Sequence, residues 1–188
     1  PAGSGAPSSI VLPELISLHR HHENGVKYFS GTATYSTRFN IPKNSITGKN
    51  WFLDLGEVEV IAEVTVNRKS LGILWKRPYQ VEITNAIRTG TNTIEIKVTN
   101  QWVNRLIGDE QLPDPDKFSP FGGASGIPGI IGGGIEKLPG WYMKGEPKPL
   151  NGRISFATWK HYSKDSPLAE SGLIGPVTLI HAVTKPLS

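Results

Sequence analysis

Trp51-Phe52-Leu53-Asp54-Leu55-Gly56 opens the stretch that decides the fold, and Ala62-Glu63-Val64-Thr65-Val66-Asn67 follows it. Leu71-Gly72, Trp75, Pro78-Tyr79, Gly90-Thr91-Asn92 and Val98-Thr99-Asn100 come next, and the stretch closes on Asn104-Arg105-Leu106-Ile107-Gly108-Asp109. Within it Ala62, Val64 and Val66 alternate with Glu63 and Thr65, the period-two signature of a strand with one buried face. Asn67-Arg68-Lys69-Ser70 then reads as a turn. Tyr79, Val81 and Ile83 form the next inward set. Asn85 to Thr89 fits one helical turn, closed by Gly90 in a conformation that suits glycine. Ile94, Ile96 and Val98 alternate with Glu95, Lys97 and Thr99, a half-buried strand. Strand-like segments joined by short turns are the grammar of a β-sandwich.

The pattern extends in both directions. Tyr35, Thr37, Phe39 and Ile41 share one strand face, with Ser36, Arg38 and Asn40 on the other, and Pro42 stops the strand by removing a donor. His19 to Asn24 reads as a polar connection, Ile10 to Leu18 as either a short strand or a helical turn, and residues 1–9 as linker. Residues 110–150 break the alternation: Pro113, Pro115, Pro120, Gly122-Gly123, Gly126, Pro128-Gly129 and Gly132-Gly133-Gly134 do not belong inside regular elements. A loop this long is functional or disordered. Strand grammar resumes at Ile154-Ser155-Phe156-Ala157-Thr158-Trp159 and at Val177 to Val183. No βαβ alternation and no repeat occurs. The fold class is therefore all-β: an antiparallel jelly-roll β-sandwich over 10–188, carrying a long Gly/Pro-rich insertion at 110–150.

Composition bounds the function. The chain has 188 residues, 37% of them hydrophobic, with 21 Gly and 15 Pro, which suits one core with many turns. The net charge of +4 is spread over scattered Lys and Arg with no basic-aromatic run, so nucleic acid is not an expected partner. There are no cysteines, which excludes disulfides and thiolate metal sites without deciding the compartment. No apolar run is long enough to cross a bilayer as a helix, so no membrane insertion is expected. The start, Pro1-Ala2-Gly3-Ser4-Gly5, has no Met and no signal peptide, and the expectation is a piece of a larger protein or one whose leader was removed.

The order of landmarks from Trp51 to Asp109 resembles the sugar-binding, galactose-binding-domain-like β-sandwich of family 2 type glycoside hydrolases. Lys27-Tyr28-Phe29-Ser30-Gly31-Thr32-Ala33-Thr34-Tyr35 is similar to the start of that sandwich in α-L-rhamnosidases of glycoside hydrolase family 106. Gly152 to Tyr162, followed by Ser171-Gly172-Leu173-Ile174-Gly175-Pro176-Val177, resembles its end. The resemblance covers roughly residues 26 to 183 and implies an accessory sandwich of a periplasmic or extracellular bacterial enzyme. Its implied partners are the enzyme's catalytic barrel and rhamnose-containing plant glycans. The catalytic acid and base would lie in the barrel, which needs about 250 residues and a βα pattern that this chain lacks. An autonomous carbohydrate-binding module and a small free-standing glycosidase are the alternatives.

Glycoside hydrolysis needs two carboxyl groups at defined spacing. Asp54, Glu57, Glu59, Glu63, Asp109 and Glu110 are the candidates, and each also has a plain reading as surface or scaffold. Glu63 in particular should point outward. Asn104, Arg105 and Asp109 are read as part of a loop beyond a strand, where amides, carboxylates and guanidinium groups bind sugar hydroxyls in fixed directions. The competing reading is that Arg105 and Asp109 form an internal ion pair that pins the long loop. Trp51 and Trp75 are expected in the core, Trp102 fits either core or surface, and Trp159 is a weaker candidate for exposure. Trp141-Tyr142 is the best candidate for exposed aromatics that stack on sugar, set against a role in anchoring the loop.

His19, His21 and His22 lack a nearby Asp or Cys to complete a transition-metal set. No catalytic cofactor is expected. Asp109, Asp114 and Asp116 are the candidate ligands for a structural calcium, which sandwiches of this kind hold through Asp and carbonyl oxygens. The glycine runs are not phosphate loops, since no Lys-Ser or Lys-Thr follows them, and no Gly-x-Ser-x-Gly elbow occurs.

Overall fold

Period-two alternation becomes strand at most of the places where it was read. The computed structural model describes residues 5–43, 45–46, 50–119, 134–149 and 152–182. Among them nine strands form: β1 Thr32–Ile41, β2 Asn50–Asp54, β3 Glu57–Glu59, β4 Ile61–Val66, β5 Lys69–Leu74, β6 Gln80–Glu82, β7 Gly90–Thr99, β8 Gly172–Gly175 and β9 Thr178–Ala182. The three helices are short: α1 Asn24–Lys27, α2 Val103–Asp109 and α3 Gly140–Met143. Pro120, Gly122-Gly123, Gly126, Pro128-Gly129, Gly132-Gly133 and Val183 lie outside the described residues. No helix in the described residues is long and apolar enough to cross a membrane.

The residues gather into two compact units. One comprises Ile10–His21, Ser30–Gln101 and Glu170–Ser188, and the other Pro1–Ser9, His22–Phe29 and Trp102–Ala169.

The first unit is an antiparallel β-sandwich. Its sheets run β1-β7-β4-β5 (four strands), β6-β2-β9 (three strands) and β3-β8 (two strands). Val64, Val66, Ile94, Ile96 and Val98 from the first sheet share one buried cluster with Trp51 and Leu53 from the second and Val58 and Leu173 from the third. Each such side chain contributes about 1.5–3 kcal/mol by leaving water. Glu63, Glu95, Lys97 and Thr99 stand on the other face, as their alternation requires.

The turn at Asn67-Arg68 is a two-residue hairpin with both residues at positive φ, 48° and 67°. This mirror-image turn matches the twist of the flanking strands. Asn67 does more than turn: its Nδ2 donates to Ala86 O and to Asn92 Oδ1 at 2.8 and 2.7 Å. Asn92, fully buried, donates in turn to Arg88 O and Gly90 O and accepts the Arg88 N–H. The segment before β7 is thereby tied down through Ala86 O, both backbone groups of Arg88 and Gly90 O. Only part of the expected helical turn forms there, through Ala86 and Ile87 N–H groups on Ile83 O, and Gly90 at φ +83° starts β7.

Three expectations change. Ile10 to Leu18 forms neither strand nor α-helix, apart from Leu18 in a 3-10 turn, Leu18–Arg20. Trp75 is not in the core: 66% of it is exposed, because β5 ends at Leu74, which pairs with Ala62, and the indole lies past the last ladder pair. Its ring faces the Lys76 ammonium at 5.7 Å. Ile154 to Trp159 is not a strand; its only described ladder contact is an isolated bridge from Trp159 to Gly134.

Candidate functional site

The second unit gathers most of the residues that bear polar chemistry. Val103 and Ile107, four apart, give α2 an apolar edge, and Ile107 is 1% exposed. Gly108 lets the helix approach Tyr28, since a Cβ there would meet Tyr28 Cβ and Arg105 Nη2 at 2.5 Å. Asn104, Arg105 and Asp109 therefore lie on a helix, not on the loop expected for them, and all three are buried.

Their bonds explain the burial. Arg105 Nε donates to Asp109 Oδ1 at 3.1 Å across one helical turn. Asp109 Oδ1 also accepts the Ile154 N–H at 2.9 Å, and Oδ2 accepts the Ser155 N–H at 2.8 Å together with the Ser155 hydroxyl. The carboxylate thus takes four donors, which is what a charge needs when it has no contact with water. Its claim on two successive N–H groups is also the physical reason that Ile154-Ser155 joins no sheet. Asn104 makes a matching clasp: Nδ2 donates to Ala169 O, and Oδ1 accepts the Ala169 N–H, both at 2.8 Å.

A second charged cluster surrounds Arg153, 4% exposed, which sequence reasoning passed over. Its Nη1 donates to Glu110 Oε1 at 2.6 Å and to Asp114 Oδ2 at 3.2 Å. Lys160 Nζ faces the same two carboxylates at 3.4 and 3.9 Å. Both cations lie over the Phe118 ring, at 6.0 and 5.2 Å. Lys148 Nζ donates to the Arg153 carbonyl. The signal available in the sequence was the succession of acids at 109, 110, 114 and 116, which a buried arginine can neutralise.

Glu110 and Asp114 are two carboxylates sharing one guanidinium nitrogen. Each faces two cations, and their side chains are 9% and 14% exposed. The arrangement is that of a structural ion-pair hub. Of the other candidates, Asp54 accepts the Gly56 N–H at 2.9 Å, Glu57 meets Arg77 at 3.6 Å on the surface, Glu59 is half-buried, and Glu63 is exposed.

The candidate calcium ligands Asp109, Asp114 and Asp116 have partners within the protein. Asp109 is filled by the four donors above, Asp114 faces Arg153, and Asp114 Oδ1 accepts the Asp116 N–H at 3.1 Å. Burial pushes the Asp116 carboxyl above its ordinary range, and the charge of Asp114 adds to this against Lys148 and Arg153. Among the described residues no group of three or more His, Cys, Asp or Glu side chains is placed to hold a metal ion. His19 instead shares a hydrogen bond with the buried Ser17 hydroxyl at 2.7 Å.

The aromatics divide. Trp141 is half-buried and packs edge-on against Phe156 at 5.1 Å between ring centroids, while Tyr142 lies at the same distance from Phe156 and is 50% exposed. Trp141 thus anchors, and Tyr142 with Met143 shows a face to water. Trp102 is exposed, and Trp159 is partly so, its indole N–H donating to His161 Nδ1 at 2.8 Å.

Comparison with known proteins agrees with this architecture. The profile of the family described as glycosyl hydrolase 2 galactose-binding domain-like matches residues 16–126. A protein of Formosa agariphila named "Putative beta-glucuronidase" is 42% identical over 182 residues, 96% of this chain and 14% of that protein. The solved rhamnosidase of Novosphingobium sp. PP1Y superposes with a TM-score of 0.71 at 37% identity, covering 97% of this chain and 14% of that one. The chain spans about one seventh of the length of the relatives it matches.

Proposed function

Because the chain belongs to the glycosyl hydrolase 2 galactose-binding domain-like family, we propose that it serves as the non-catalytic accessory sandwich of an α-L-rhamnosidase-like glycoside hydrolase. In this reading it packs on the catalytic barrel and supports one wall of the sugar cleft. The observation that carries it is the likeness to the Novosphingobium rhamnosidase over 97% of the chain. The carboxylates support it as well: Asp109 is saturated by donors, and Glu110 and Asp114 are held by Arg153 and Lys160. Asn104, Arg105 and Asp109 then act on the cleft from below, by fixing the backbone at 154–155 and at Ala169. The substrate would be a rhamnose-containing plant glycan, and the enzyme would work in the periplasm or outside the cell.

A second reading, an autonomous carbohydrate-binding module, is favoured by one observation: Tyr142 stands half-exposed on a firm base of Trp141 and Phe156.

The test is hydrolysis of p-nitrophenyl α-L-rhamnoside and p-nitrophenyl β-D-glucuronide, by this chain alone and by the full-length polypeptide that carries it. Rhamnoside turnover by the full-length protein and none by the chain is the expected result. Turnover of the glucuronide alone replaces the substrate, and turnover by the isolated chain overturns the accessory role.

A further inference from the structure

The outer face of the four-stranded sheet carries a groove of about 350 Å³ lined by Ser36, Arg38, Thr65, Arg68, Thr93 and Glu95. We propose that this groove binds a sugar bearing an oxyanion, either a uronate carboxylate or a sulfate ester. None of the readings above uses these residues.

The register of the sheet builds the groove. Arg38 on β1 lies opposite Thr93 on β7. On the other side of Thr93, Asn67 holds the β4–β5 hairpin by a pair of bonds: Asn67 N–H donates to Thr93 O at 2.9 Å, and Thr93 N–H donates to Asn67 Oδ1 at 3.0 Å. Arg68 follows at φ +67°, fixed by that hairpin. Arg38 on the neighbouring strand β1 and Arg68 in the β4–β5 turn thus both border the groove beside Thr93, on backbone that ladder and turn hold still. The adjacent rung sets Glu95 between Ser36 and Thr65. Rungs of the same face lie about 7 Å apart along a strand, close to the breadth of one pyranose ring.

Charge points to the ligand class. Arg20, Arg77, Arg105 and Arg153 each meet a carboxylate within 4 Å. Among the described residues Arg38, Arg68 and Arg88 meet none; Arg88 Nε donates instead to Thr91 O at 3.3 Å, which leaves the groove pair. Glu95 is turned to Lys97 at 3.8 Å. Guanidinium groups take planar oxyanions through paired N–H bonds and are weakly hydrated, so an oxyanion is the partner this rung selects. The next rung offers three different functions for sugar hydroxyls: the Ser36 and Thr65 hydroxyls, which donate and accept, and the Glu95 carboxylate, which only accepts. Glu95 also opposes an anion placed on the wrong rung, which orients the ligand. The volume suits one or two sugar units, at the lower end of ligand sites. No aromatic ring lines the groove, so a neutral sugar gains no stacking energy there. Specificity for the anion follows.

The experiment titrates the chain with tri-galacturonate, a sulfated galactobiose, neutral galactotriose, inorganic sulfate and polyglutamate, reading the backbone amide shifts of Ser36, Thr65 and Thr93. The expected result is saturable movement with tri-galacturonate or with the sulfated sugar, whichever matches the natural oxyanion, and none with galactotriose. Affinity should fall about tenfold in R38Q/R68Q and far less in R38K/R68K, with thermal unfolding unchanged in both. Arg88→Gln, outside the groove, should bind as the unmodified chain does. Four outcomes would overturn the proposal: no shift with either acidic sugar, equal binding of galactotriose, equal binding of inorganic sulfate, or full affinity in R38Q/R68Q. Binding of polyglutamate in place of both acidic sugars would also overturn it and assign the groove to an acidic polypeptide.

Discussion

The sandwich and the unit around α2 solve the same problem with opposite materials. The sandwich buries Val, Ile and Leu on alternating positions, and its backbone polar groups are spent on ladders between neighbouring strands. The other unit has little regular structure, and its chain is fixed by side chains that reach backbone directly: Asp109 to Ile154 and Ser155, Asn104 to Ala169, Lys148 to Arg153. An apolar core is forgiving of exchange among similar volumes, whereas a buried charge depends on every donor around it. The lesson is that the same chain should respond to substitution in two distinct ways.

The strongest way to break the comparison is Asp109→Ala. It removes one ionic partner of the buried Arg105 and the acceptor of the Ile154 and Ser155 N–H groups, so a loss of about 3–5 kcal/mol is expected, with amide exchange at Ile154 and Ser155 rising first. Equal exchange across the chain would mean that the two units do not differ in this respect. In the sandwich, Leu53→Ala should cost about 2–4 kcal/mol by leaving a cavity, seen in chemical denaturation with an unchanged slope. Gly56→Ala comes next, at about 2 kcal/mol: Gly56 sits at φ +64°, and a Cβ would meet Gly175 carbonyl atoms at 2.5 Å.

Tyr35→Phe is a smaller test with a pH signature. Burial raises the Tyr35 hydroxyl above its ordinary 10.0, opposed by the Leu173 N–H bond to its oxygen at 3.1 Å. A raised folded pKa means that the folded state holds the proton longer. Its stabilisation is complete below the unfolded value and is lost as pH rises through the folded one. The variant should lose about 1 kcal/mol at neutral pH and show a shallower decline in alkaline unfolding titrations. The smallest effect belongs to Trp75→Ser, within about 0.5 kcal/mol; a loss several times larger would restore Trp75 to the core.

Legibility followed the same division. Strands β1, β4 and β7 could be read because alternation is local: each strand announces its buried face whatever lies beside it. The sequence pattern points to a loop where α2 forms, although Arg105 and Asp109 at a separation of four carry the helical clue. Ile154 to Trp159 has the composition of a strand but makes only an isolated bridge at Trp159, and its first two amides answer to a carboxylate 45 and 46 residues earlier. Trp75 failed as core because hydrophobicity says nothing about where an edge strand ends. The Arg105–Asp109 ion pair, by contrast, is legible in the sequence as opposite charges, and the structure joins them at 3.1 Å.

The Asp109 tether has a practical consequence for anyone dividing this polypeptide. The stretch recognised by family likeness stops at residue 126, yet Asp109 finds its donors at 154–155 and Asn104 its partner at 169. A cut placed where the likeness stops would release a helix whose buried side chains have lost the backbone they hold. The smallest piece worth expressing is therefore measured by its last hydrogen bonds, and it runs past Ala169 to the end of β9 at Ala182.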